Sequence, residues 1–198
     1  MLGKIRCAFI CILTLAVWTM TACGGGDSVA FTVNGVRVEK EELVYYMRDY
    51  SSLAAAEMES AYGVDSAEEG FWGGTYGELV PLEYLKAYTA ERIARVKLEQ
   101  LMAGEQGIET PLTWTEQHED MEKQNRRRRE DYEAGRVVYG SIERDFVTYF
   151  ADMYYAMRAG LQEKLGLDEE AYAALVESRL ETAEIRYKDM EVSPEDIA

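Results

Sequence analysis

The chain carries a single histidine and three cysteines among 198 residues. These two scarcities exclude most side-chain catalysis at the outset. A Ser-His-Asp arrangement needs an imidazole held beside a nucleophile, and His118 lies in a strongly polar stretch with nothing that marks a nucleophile near it. A structural zinc site draws on several His or Cys ligands, so no metal site is expected. Two of the cysteines, Cys7 and Cys11, fall inside an N-terminal apolar run, and the third, Cys23, closes it. If that run is removed, the folded chain has no disulfide to lean on, and its stability must come from its core. Proline is scarce, at three residues, and there is no internal repeat or long low-complexity tract, so no second domain boundary is expected. Positive charge is also in short supply. The net charge is −16, and it becomes −18 once Lys4 and Arg6 are lost. Such a chain repels nucleic acid and anionic head groups at long range. A run long enough to span a bilayer is missing too: Cys7 to Ala22 carries no charge but is shorter than the ~20 residues a spanning helix needs.

That short run has a different reading. Lys4 and Arg6 precede it, and it ends in Met20-Thr21-Ala22-Cys23-Gly24. A basic start, an apolar centre and a small-residue end make a secretory signal peptide. The ending resembles the lipobox of bacterial lipoproteins, with Met20 where that family usually has Leu. The resemblance implies acylation of the Cys23 thiol and cleavage before it, giving a lipid anchor on the extracytoplasmic face of the cell membrane. Two or more acyl chains hold a protein stably where one does not. Gly24-Gly25-Gly26-Asp27-Ser28 then reads as a flexible tether. The expected organisation is a leader over 1–22, a lipidated Cys23 with its tether over 23–28, and one domain over 29–198.

Within that domain, Val29-Phe31-Val33 and Val36-Val38 alternate around Asn34-Gly35, a strong hairpin signal. Helical periodicity follows. Leu43, Tyr46, Met47, Tyr50, Leu53 and Ala54 mark a first helix that stops at Gly63. A Gly-rich loop over 63–77 is pinned by Phe71 and Trp72. The second helix runs from Pro81 to about Met102. A polar third helix starts at Thr113 or Thr115 and ends near Ala134, and a link over 135–140 leads to a fourth over Ser141–Leu165. Asp168 caps a fifth over Glu169–Thr182. Ile185, Tyr187 and Val192 suggest a last strand, and Ser193-Pro194-Glu195-Asp196 the start of another helix. The fold class is therefore mainly α with a small β component.

Several features carry no chemistry on this reading. Gly70 to Gly77 lacks the Lys-Ser/Thr ending of a phosphate loop. Glu41-Glu42, Glu68-Glu69 and Glu169-Glu170 read as solvated faces. Arg126 to Arg129, flanked by acids, read as an ion-paired exposed helix, and His118 as a solvated surface residue. Tyr45, Tyr46, Met47, Tyr50, Phe146, Tyr149, Phe150, Met153, Tyr154, Tyr155 and Met157 are too many for one narrow stripe. Most belong to the core, and the remainder suits a surface that accepts varied partners.

The order of elements resembles a known family. Phe31-Thr-Val-Asn-Gly-Val-Arg-Val-Glu-Lys-Glu-Glu-Leu43 is similar to the opening of SurA-like and PrsA-like foldase lipoproteins. The segment from Pro81 through Lys97 to Gly104-Glu-Gln-Gly107-Ile108 is similar to that family's second helix and its exit. The resemblance implies a helical SurA N-terminal, trigger-factor-like peptide-binding domain, with an N-terminal hairpin and a C-terminal strand. Its partners would be unfolded or secreted polypeptide clients, with no small-molecule cofactor and no nucleic acid. Many such foldases continue into a parvulin-type prolyl isomerase domain whose site uses paired histidines. With His118 alone, no isomerase activity is expected. Tyr45 and Tyr155, each beside the main stripe of its helix, are the candidate peptide-binding residues. The competing expectation is an envelope lipoprotein that acts as scaffold for one dedicated protein partner.

Overall fold

The computed structural model describes residues 29–197. The leader, Cys23 and the tether lie outside the described residues.

The described residues open with the expected hairpin. Strand β1 (Val29–Val33) pairs antiparallel with β2 (Val36–Glu39). Asn34 and Gly35 both adopt positive φ, 47° and 84°, the conformation that lets a two-residue turn follow strand twist. The remaining elements are α1 (Lys40–Tyr62), a short 3-10 turn at Phe71–Gly73, α2 (Pro81–Glu105), α3 (Trp114–Glu133), α4 (Phe146–Leu165), α5 (Glu169–Glu181), β3 (Ile185–Tyr187) and a second 3-10 turn at Pro194–Asp196. The described residues are thus mainly helical, with one three-stranded antiparallel sheet in the order β2-β1-β3.

Strand β3 brings the last of the described residues back to the first of them. Phe31 pairs with Tyr187 and Val33 with Ile185. Asn34 ties the same junction twice, donating its N–H to the Glu184 carbonyl at 2.9 Å and accepting from the Glu184 N–H through Oδ1 at 2.8 Å. Because β1 lies in the middle of the sheet, with an irregular register between Val29 and Phe31, Ala30 is buried along with Val29, Phe31 and Val33. A simple alternation would have left Ala30 outside. Val192 is not in a strand. It lies beyond β3 and packs, with Ile197, into the same core.

That core holds the sheet, the inner face of α1 and the first two-thirds of α2. A second cluster joins Met102 and Ala103 of α2 to Met157 and Leu161 of α4 and to Tyr172 and Val176 of α5. Helix α2 therefore serves both. It runs past Met102 to Glu105, and the chain leaves helical geometry at Gly107, φ +69°.

Helix α3 is of another kind. Thr113 caps it with a complete capping box: its hydroxyl accepts from the Glu116 N–H, and Glu116 accepts from the Thr113 N–H. Of its residues only Gln117 and Asn125 are buried. Polar bonds, not apolar burial, hold the turn that follows. Asn125 donates to the Arg144 carbonyl at 2.9 Å and accepts from the Arg144 N–H at 3.0 Å. Arg128 donates to the carbonyls of Tyr139, Ser141 and Ile142. These bonds keep 141–144 out of helical geometry, which is why α4 begins at Phe146, capped by Asp145, and not at Ser141.

Candidate functional site

Three helices each carry an aromatic pair four residues apart: Tyr46 and Tyr50 on α1, Tyr84 and Tyr88 on α2, Phe150 and Tyr154 on α4. Side chains at that spacing share one helix face. The fold sets the three faces edge to edge. Tyr84 and Tyr88 lie 6.3 Å apart, Tyr88 and Tyr50 5.5 Å, Tyr50 and Tyr46 6.3 Å, Tyr46 and Phe150 6.1 Å, and Phe150 and Tyr154 5.7 Å between ring centroids. All six rings are half-buried, so each packs on its neighbours and also meets solvent. Aromatic pairs at such distances add ~0.5–1.5 kcal/mol each beyond area burial.

A branch leaves this strip at Tyr46. Tyr45 packs on Trp114 at 5.1 Å and edge-on against Phe146 at 5.4 Å. His118 stacks on Phe146 at 4.5 Å with an interplanar angle of 5°, and its Nδ1 lies 3.0 Å from the Trp114 carbonyl. The branch ties the start of α3 to α1 and α4.

Five of the six rings are phenols, and the sixth, Phe150, is apolar throughout. Burial pushes the hydroxyls of Tyr46 and Tyr50 above the usual tyrosine range. The Tyr84 hydroxyl, which donates to Glu57, is pushed up to about 12, chiefly by that bond. One end is anchored by Glu99, whose buried carboxylate accepts from the hydroxyls of Tyr154 and Tyr172 and lies 3.1 Å from Arg158. Next to the other end, Arg92 donates to the Tyr88 hydroxyl at 2.6 Å and lies over its ring.

A polar layer lies beneath. Lys97 is fully buried, pairs with Glu42 at 2.7 Å and donates to the Leu112 carbonyl at 2.6 Å. Gln100 donates to the Pro111 carbonyl at 2.9 Å. Together they fasten the 106–113 connection onto α2. Beside that connection a groove of about 670 Å³ opens between α3 and α4. Its apolar part includes Ile108, Met153 and Met157, and its polar part Glu109, Asp120, Arg144 and Asp152.

No protein-family model, curated protein or solved structure matches this chain.

Among the described residues no group of three or more His, Cys, Asp and Glu is placed to hold a metal ion, and no helix is long and apolar enough to cross a membrane. The two candidate binding residues part company. Tyr45 is half-buried in the aromatic branch, beside a small cleft that also includes Val44, Arg48 and Trp114. Tyr155 stands 77% exposed on the outer side of α4. Two expectations need correction. His118 is half-buried and not fully solvated, because its ring packs against Trp114 one turn earlier and stacks on Phe146. Glu42 is not part of a solvated face, because Lys97 meets it inside. The arginine run does lie on an exposed helix, with Arg126 and Arg127 in solvent; its ion pair runs across the following turn, from Arg129 to Glu143 at 2.6 Å, and Arg128 fastens that turn. Sequence reasoning passed over Tyr84, Tyr88 and Trp114. The i, i+4 tyrosine pair was the available signal for the first two, but it was hidden by the helix's aliphatic stripe.

Proposed function

We propose that the chain is a membrane-anchored, extracytoplasmic, chaperone-like protein that binds unfolded or secreted polypeptides without catalysis of its own. The observation that carries this reading is the aromatic strip from Tyr84 to Tyr154. Half-buried tyrosines offer apolar area with polar tips and lose little side-chain entropy on contact. Such a surface takes many sequences and shields their apolar residues from aggregation. The lipobox-like Met20-Thr21-Ala22-Cys23 supports the anchor, and the similarity of the hairpin-helix opening to SurA-like and PrsA-like foldases supports a peptide-binding helical domain of that kind.

One experiment tests the binding reading. A fluorescently labelled protein kept unfolded by reduction and carboxymethylation is titrated with the full chain in detergent, beside its native, disulfide-bonded form. The unfolded form should bind and the native form should not. Tyr50→Ser with Tyr88→Ser should weaken the binding by about tenfold, the effect of ~1.4 kcal/mol. Equal behaviour of the two forms would refute the reading.

A second reading has its own support. Tyr132, Val137 and Tyr139 are exposed at 61%, 77% and 84% where α3 turns toward α4, and Arg128 holds that turn in place. A rigid apolar tip suits one dedicated protein partner, and the chain would then be an envelope scaffold.

A further inference from the structure

The groove between α3 and α4 differs from the aromatic strip in both chemistry and charge. Its floor includes Ile108, Met153 and Met157. Thioethers are flexible and polarizable, and they adapt to side chains of different shape. Its rim includes three carboxylates, Glu109, Asp120 and Asp152, against one cation, Arg144. Arg144 is already committed, 3.0 Å from Asp152. Asp120 is held in place through one oxygen only: Oδ2 accepts from Tyr149 at 2.9 Å and from Gln124 at 2.8 Å. These donors orient the carboxylate and leave Oδ1 unengaged by either. Glu109 and Asp152 are exposed.

We propose that this groove selects polypeptide segments in which Lys or Arg neighbours an apolar side chain. The inference rests on the polypeptide-binding reading and adds a substrate class to it. An apolar side chain would enter among Met153, Met157 and Ile108. The flanking cation would sit at the rim, between the free oxygen of Asp120 and the exposed carboxylate of Glu109. Complementary charge across a contact raises the encounter rate and excludes like-charged partners. The net charge of −16 acts in the same sense over longer range, drawing basic segments in and turning acidic ones away. Long Lys and Arg side chains also lay their methylenes on apolar surface while the head group stays in water, which suits a groove with a Met floor and an acidic edge.

The test uses three labelled unstructured peptides that share one Leu and Phe core. The core is flanked by Lys in the first, by Ser in the second and by Glu in the third. Binding to the full chain in detergent is followed by fluorescence anisotropy. The Lys peptide should bind about tenfold or more tighter than the Glu peptide, and this preference should shrink as added salt cuts the Debye length from ~10 to ~3 Å. Reversing the rim with Glu109→Lys and Asp152→Lys should abolish or invert the order. Both side chains are exposed, and an unchanged melting curve confirms that the variant is folded. If the three peptides bind alike, or if rim reversal leaves their order intact, the groove proposal is overturned while polypeptide binding stands. If none binds, and the unfolded protein above does not bind either, both fail together.

Discussion

Lys97 Nζ lies 2.7 Å from Glu42 Oε1, with neither side chain more than 2% exposed. The pair joins the C-terminal half of α2 to the first turn of α1. It also fastens the 106–113 connection, since the same ammonium donates to Leu112. Removing one partner of a buried pair leaves a charge with no compensation. Burial already pushes the Glu42 carboxyl above its usual range, with Lys97 acting against that rise. Lys97→Met should therefore cost ~3–5 kcal/mol in urea unfolding, and Glu42→Leu added to it should restore most of the loss. In the single variant Glu42 loses the group that favours its charged form. Its folded pKa rises further, so the penalty is full at high pH and shrinks as Glu42 takes a proton. The loss should be smaller at about pH 5 than at about pH 8.

Glu116 has the opposite sign. Backbone N–H groups of Thr113 and Leu112 hold its carboxyl below the usual range. Its contribution is complete above the unfolded carboxylate pKa and is lost as pH falls through the lowered value. Glu116→Gln should flatten the acid limb of stability below about pH 4.5. Thr113→Ala, which removes the other half of the capping box, should cost about 1 kcal/mol at neutral pH. Thermal unfolding against pH reads both effects.

How much of this was legible beforehand depends on whether a signal was local. The hairpin could be read because Asn34-Gly35 states its own turn, and the ends of α3 and α5 because Thr113 and Asp168 are caps. The start of α4 could not, because Ser141 to Arg144 are kept out of the helix by bonds from Asn125 and Arg128, a relation across the turn. The excess of aromatic residues was visible, but their alignment was not. Tyr50 meets Tyr88, and Tyr46 meets Phe150, only after three helices have packed. Lys97 and Glu42 look like ordinary surface charges in their own helices, and nothing short of the fold pairs them.

Tyr45 and Tyr155 should respond differently to truncation. Tyr45 packs on Trp114 and Phe146, so Tyr45→Ala should cost ~1.5–3 kcal/mol, below the range for a fully buried aromatic. Tyr155 is 77% exposed, and Tyr155→Ala should change stability by less than about 0.5 kcal/mol. Differential scanning calorimetry of the two variants checks the pair.

The anchor is tested by Cys23→Ala. The other thiols, Cys7 and Cys11, lie inside the apolar run and lack the small-residue context before them. The variant should take up no acyl label during metabolic labelling with an alkyne fatty acid, whereas the parent chain should. Labelling of the variant would remove the lipobox reading.

The central claim is that the chain binds non-native polypeptide through its aromatic strip. The most direct measurement is light scattering from a client that aggregates when its disulfides are reduced, followed with and without the full chain in detergent. Suppression should saturate near stoichiometric ratios and be lost in the folded Tyr50→Ser, Tyr88→Ser variant. Scattering that rises unchanged in the presence of excess parent protein would contradict it.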